Sequence, residues 1–136
     1  MSAGRKSYRL ERRDRLLLLR AAVGGINGQA VVLRLLLDTG SSYTMLPVEV
    51  LESVGYDTSR PLSRVRMIAA SGIIVAPIVS VSWFHSLGQR VENFPIAVHT
   101  LPPGTFVDGL LGMDFLLHHE AVISVKPGEM CLSNAV

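Results

Sequence analysis

A chain of 136 residues with 49% apolar and 18% charged side chains is globular rather than disordered, and long enough for one modest core. The formal charge of +2 hides an asymmetry: residues 1–20 carry seven basic and two acidic side chains, so the remainder is net acidic. A single cysteine, Cys131, excludes an internal disulfide and any cysteine-based zinc site.

The basic head, GRKSYRLERRDR over residues 4–15, has the chemistry to touch nucleic acid or anionic lipid. The plainer expectation is a solvated, flexible basic segment over residues 1–14, with a single folded domain over 15–136. No nucleic-acid or membrane partner is expected. The LLLL run at 16–19 sits behind this stretch like the start of a signal sequence, but Arg20 ends it too early. No run approaches membrane-spanning length, and a soluble, cytoplasmic protein is expected. The apolar excess is more than a small monomer needs and suggests a covered subunit surface.

Beyond the head the pattern is mostly strand. RLLLLRAAVGG and QAVVLRLLL flank INGQ, and Asn-Gly between apolar runs predicts a hairpin because both residues tolerate positive φ. Its strands are expected near 15–26 and 29–37. The near-continuous apolar run Leu33, Leu35, Leu36, Leu37 reads as a strand covered on both faces. Pro47 and Gly55 bracket a short helix over 47–54. LSRVRMIAASGIIVAPIVSVSWF reads as two strands around a flexible tip, Ala70-Ser71-Gly72. In the second of them, Val79, Val81 and Trp83 alternate with Ser80 and Ser82, as in a half-buried strand. HSLGQ is a second hairpin turn, RVENFPIAV returns, and TLPPGT is a loop. DGLLGMDFLLHH gives a short strand, a glycine and a short helix, and AVISV and MCL close the chain as strands.

Two stretches carry chemistry. In LRLLLDTGSSYTMLP, residues 33–47, an apolar run ends on Asp38 and turns at once on Thr39 and Gly40. Asp-Thr-Gly also occurs as an ordinary turn, with Asp bonding a nearby backbone N–H. Here, however, a carboxylate closes a core strand, where it is costly unless bonded or paired. Thr39 and Ser41 offer hydroxyls beside it. The second stretch is VDGLLGMDF, residues 107–115, which alone is only a core strand turning through glycine into a helix.

Together, LLLDTGSSYTMLP and GLLGMDFL some seventy residues later resemble the retroviral-type, or retropepsin-like, aspartic proteases, and most of all the single-domain bacterial ones. The likeness covers roughly residues 15–133. It implies an all-β fold: a retropepsin-like closed barrel or sandwich with one or two short helices, a flap hairpin and an active site at a homodimer interface. It implies that Asp38 is the catalytic carboxylate and that Thr39 bonds across to the other half of the site. Gly40 shapes the loop, and Ser41 hydrogen-bonds near the catalytic pair. Leu110, Leu111 and Gly112 form the second motif, whose glycine lets the strand pass closely under the active-site loop. Ala70, Ser71 and Gly72 are the flap tip. Viral members often carry an acid two residues after the motif glycine and an arginine just after the second motif's glycine. Ser42 and Met113 stand at those positions, so that ionic tie is missing.

The chemistry can be argued separately. Hydrolysing a peptide without a metal needs a base for the water and an acid for the leaving amide. Two carboxylates sharing a proton serve both needs, because neighbouring like charges push their pKa values apart. One Asp cannot, and the chain has one Asp-Thr-Gly. The second carboxylate is therefore expected from a two-fold homodimer, with an extended peptide as substrate and no cofactor. The alternative is a peptide-binding dimerisation module of the same fold that does not cut. No metal site is expected, since adjacent His118 and His119 diverge on a helix. His85 and His99 are expected in solvent, Trp83 in packing, and Cys131 as a small buried hydrophobe.

Overall fold

The computed structural model describes residues 4–69 and 72–133. In chain order the elements are β1 (Arg5–Arg9), β2 (Glu11–Arg13), β3 (Leu16–Gly24), β4 (Ala30–Leu37), β5 (Met45–Leu46) and α1 (Val48–Ser53). There follow β6 (Ser63–Ala69), β7 (Gly72–Ser86), β8 (Gln89–Val98), β9 (Gly109–Leu111), α2 (Met113–His118), β10 (Val122–Ser124) and β11 (Glu129–Ser133). The all-β expectation with two short helices holds.

The β3–β4 hairpin forms where Asn27-Gly28 places it. Gly28 takes φ +80°, and the Gly25 N–H donates to Gln29 O at 2.7 Å. From there the strands run β3–β4–β9–β5–β8–β7, and β7 returns to β3 through Ala21–Gly24, closing a six-stranded barrel. Closure leaves few unpaired edges. It depends on the length of β7. Residues 72–78 pair with β6 and residues 83–86 with β3, so one edge serves two partners. The β6–β7 hairpin projects from the barrel as the expected flap. Its expected tip residues Ala70 and Ser71 lie outside the described residues. Gly72 opens β7, exposed, at φ +125°.

The apolar run in β4 departs from its reading. Leu33 and Leu35 are buried inside the barrel, but Val32 is 70% exposed and Arg34 faces outward. Only Leu36 and Leu37, nearest Asp38, are half-covered on both sides of the alternation. Inside, Phe84, Phe94 and Phe115 form a triangle with ring centroids 4.9, 5.6 and 6.4 Å apart, in tilted and edge-on packing. Each buried aromatic contributes about 1.5–3 kcal/mol of transfer free energy.

The largest correction concerns the head. It is not a free segment: β1 pairs antiparallel with β11, and β2 with β3. The boundary expected at residue 14 thus falls inside a hairpin. Leu10 is buried, and its N–H donates to Gly128 O at 2.8 Å. The arginines act on backbone carbonyls. Arg5 donates to Glu120 O at 2.8 Å, and Arg12 donates to Val125 O and to Lys126 O. Arg13 stacks over Phe106 at 4.4 Å. Part of what read as a nucleic-acid or lipid patch, Arg5 and Arg12, therefore binds the chain's own C-terminal segment. Cys131, expected to be buried, is half-exposed in β11. Among the described residues no helix is long and apolar enough to cross a membrane.

Tyr56 joins three segments. Its hydroxyl donates to Gly24 O and accepts from the Ser82 N–H at 2.7 Å. Replacing Tyr56 with Phe removes both bonds, one of them at the buried Gly24 carbonyl, and should cost about 1–3 kcal/mol of unfolding free energy. Urea denaturation measures this, and an unchanged midpoint would contradict the assignment.

Candidate active site

The site is built where β9 lies between β4 and β5. Leu35, Leu36 and Leu37 run parallel to Gly109, Leu110 and Leu111, and Met45 faces Leu110 antiparallel. The last rung is the Asp38 N–H donating to Leu111 O at 3.0 Å. There the strand stops and an Asx-type turn begins. The Gly40 N–H donates to Asp38 Oδ1 at 2.9 Å, and the Ser41 N–H donates to Asp38 O at 3.2 Å. Thr39 and Gly40 are exposed on the loop, and Asp38 is half-exposed.

The return from β9 passes directly beneath this loop. A Cβ on Gly112 would lie 2.4 Å from Tyr43 O and 2.9 Å from Ser41 O, so nothing larger than glycine fits without moving backbone. Leu111 is fully buried, while Leu110 reaches the surface of a cleft. Ser41 lies beneath the loop surface. It is 6% exposed, and its hydroxyl is directed to Tyr43 O at 2.7 Å, within the loop.

Asp38 stands where two clefts meet. One, of about 360 Å³, opens under the β6–β7 hairpin and is lined by Met45, Met67, Ile68, Ile74, Leu101 and His99. The other, of about 450 Å³, is lined by Leu16, Leu17, Leu36, Leu37, Ile123 and Val125. Asp38 is the sole acid in either lining. Among the described residues no cluster of His, Cys, Asp or Glu is arranged to hold a metal ion.

The sequence assigned no structural role to two residues, Asp114 and His119. Asp114, at the start of α2, accepts the Thr44 N–H on both carboxylate oxygens at 3.0 and 2.9 Å. It also accepts the Thr44 hydroxyl at 2.8 Å and the Phe115 N–H at 2.8 Å. Burial pushes its pKa above the usual carboxylate value, against the pull of these bonds. His119 is 2% exposed, and neither ring nitrogen has a hydrogen-bond partner among the described residues. Burial, and then neighbouring His118, lower its pKa. The signal for Asp114 was its place two residues after the motif glycine; for His119 no local signal exists.

A family model described as aspartyl protease matches residues 22–115. The chain belongs to the aspartyl protease family. No curated protein matches the sequence. The crystal structure of a retropepsin-like aspartic protease from Rickettsia conorii is similar at a TM-score of 0.64 and 20% identity, covering 98% of this chain and 94% of that one. At that identity the likeness concerns the fold, which is retropepsin-like, as the paired motifs implied.

Two outcomes follow for this member of the family. Gly112→Ala should cost about 1–3 kcal/mol, since the new methyl group meets backbone and not a movable side chain; thermal melts measure it. For pH, the folded pKa of His119 lies below the unfolded 6.5. The unfolded chain therefore binds the proton first, and stability falls as pH drops below about 6.5. Asp114 has the opposite sign, because its raised folded pKa adds stability on acidification. Comparison with His119→Phe isolates the histidine: the variant's acid-side loss should be shallower. Parallel curves would contradict it.

Proposed function

We propose that the chain is an aspartic endopeptidase that becomes complete only as a two-fold homodimer, with Asp38 of each subunit forming the catalytic pair. The observation that carries this reading is that Asp38 is a lone acid, fixed by backbone bonds, at the junction of two apolar clefts. Among the described residues no second carboxylate lines these clefts, and an isologous dimer would supply one by symmetry. Thr39, exposed beside the axis, would bond across it.

In this mechanism the two carboxylates hold one proton and a water. The ionised member takes a proton from the water as its oxygen attacks the scissile carbonyl, and the protonated member donates to the departing amide nitrogen. Substrate lies extended along the clefts beneath the β6–β7 hairpins, held by strand-like backbone bonds, with apolar side chains entering the pocket of Met45, Met67 and Ile74. The ionic tie found in viral members has no counterpart at Ser42 and Met113. Dimer contact is assigned instead to the apolar surface of Leu16, Leu37, Ile123 and Val125 beside Asp38. The lone thiol of Cys131 suits a reducing compartment, and a cytoplasmic location belongs to this reading.

Asp38→Ala and Asp38→Asn should abolish cleavage of every peptide the unaltered protein cuts, while sedimentation still finds the dimer. Residual cleavage by pure Asp38→Ala sinks the assignment. A stable dimer that cuts nothing in a broad peptide library, at any pH, indicates the peptide-binding module instead.

A further inference from the structure

We infer that Asp114 is a positioning residue: it clamps the loop that presents Asp38 and thereby sets turnover as well as stability. The inference rests on the proposed protease activity for its kinetic consequence, but its structural basis is independent.

The loop from Asp38 to Thr44 is pinned at both ends to the segment around Gly112. At the first end, the Asp38 N–H donates to Leu111 O. At the far end, the Thr44 N–H and hydroxyl both donate to the Asp114 carboxylate. The Thr44 hydroxyl also accepts from the Gly112 N–H at 3.2 Å, so a single side chain closes a ring between the two motifs. Between the ends, the Met113 and Asp114 N–H groups donate to Ser41 O at 2.8 Å and Ser42 O at 3.2 Å. Thr44 is fully buried. Removing Asp114 therefore frees a buried amide and a buried hydroxyl directly behind the catalytic loop.

The choice of residue is informative. The groups that donate to Asp114, the Thr44 N–H and hydroxyl and the Phe115 N–H, are uncharged, and no ion pair involving Asp114 is found among the described residues. A half-buried carboxylate with neutral partners is a costly way to satisfy two donors. What a carboxylate provides is two equivalent acceptors that hold one N–H from both sides and still receive the hydroxyl, with short charge-assisted bonds. That fixes Thr44, and with it the height of the arc that begins at Asp38. Displacements of about 1 Å at a reacting group cost up to roughly a hundredfold in rate.

The test combines kinetics and amide exchange on the full chain, using a peptide that the unaltered protein cleaves. In Asp114→Ala, kcat per folded molecule should fall by about tenfold to a hundredfold with KM little changed. Thr44→Val, which keeps the shape and removes the hydroxyl, should lower kcat less. Asp114→Asn, which keeps an acceptor, should recover part of the loss. Amides of residues 40–44 should exchange faster in Asp114→Ala, while those of β3 and β7 keep their protection. Full kcat in folded Asp114→Ala overturns the inference. So does a loss explained wholly by a smaller folded fraction, or unchanged exchange at 40–44. If the unaltered protein cleaves no peptide, the protease reading fails, and the exchange measurement alone decides the clamp. Where Asp114→Ala does not fold, Thr44→Val and Asp114→Asn carry the same comparison.

Discussion

The structure depends on one close crossing, the passage of the β9–α2 segment under the loop after β4. Parallel pairing of β4 with β9 brings Leu111 O to the Asp38 N–H. The absence of a side chain at Gly112 then lets the backbone lie against Tyr43 and Ser41. If the segment were farther away, Asp38 would lose its last rung and Thr44 its carboxylate. The apolar run before Asp38 is thus half of a support. The other half is the Leu-Leu-Gly stretch, and the barrel exists to bring the two together.

The same crossing explains why the site looks incomplete. Packing that fixes Asp38 from behind leaves its front half-exposed, between a cleft under the flap hairpin and an apolar surface on the opposite side. A single carboxylate so placed cannot supply both acid and base. The exposed apolar side chains around it, among them Leu16 and Val125, are the kind of surface a second copy would cover. The head strands contribute indirectly. By pairing β1 with β11 and binding carbonyls near Val125, they fix the C-terminal sheet beside the site.

How much was legible follows the range of each interaction. The β3–β4 hairpin was readable because Asn27-Gly28 is a local signal, and α1 because Pro47 and Gly55 bracket it. Asp38 and Gly112 were readable because the two motifs carry a family resemblance. The head misled because β1 finds its partner β11 at the other end of the chain, and charge density says nothing of pairing across such a distance. Leu36 and Leu37 suggested a strand covered on both faces, yet Val32 on the same strand is exposed, since run length alone does not distinguish core from interface. The Asp114–Thr44 ring joins residues seventy apart. His119 is buried by packing against Phe115 that no helical pattern declares.

The central claim is that each chain holds half of one active site. Mixing unaltered chains with Asp38→Asn chains at fixed total concentration, with full subunit exchange, tests it most directly. If two Asp38 carboxylates share one water, an active dimer needs two unaltered chains. Peptidase activity then falls with the square of the unaltered fraction. Activity falling in simple proportion to that fraction would mean that each chain works alone, and would contradict the account.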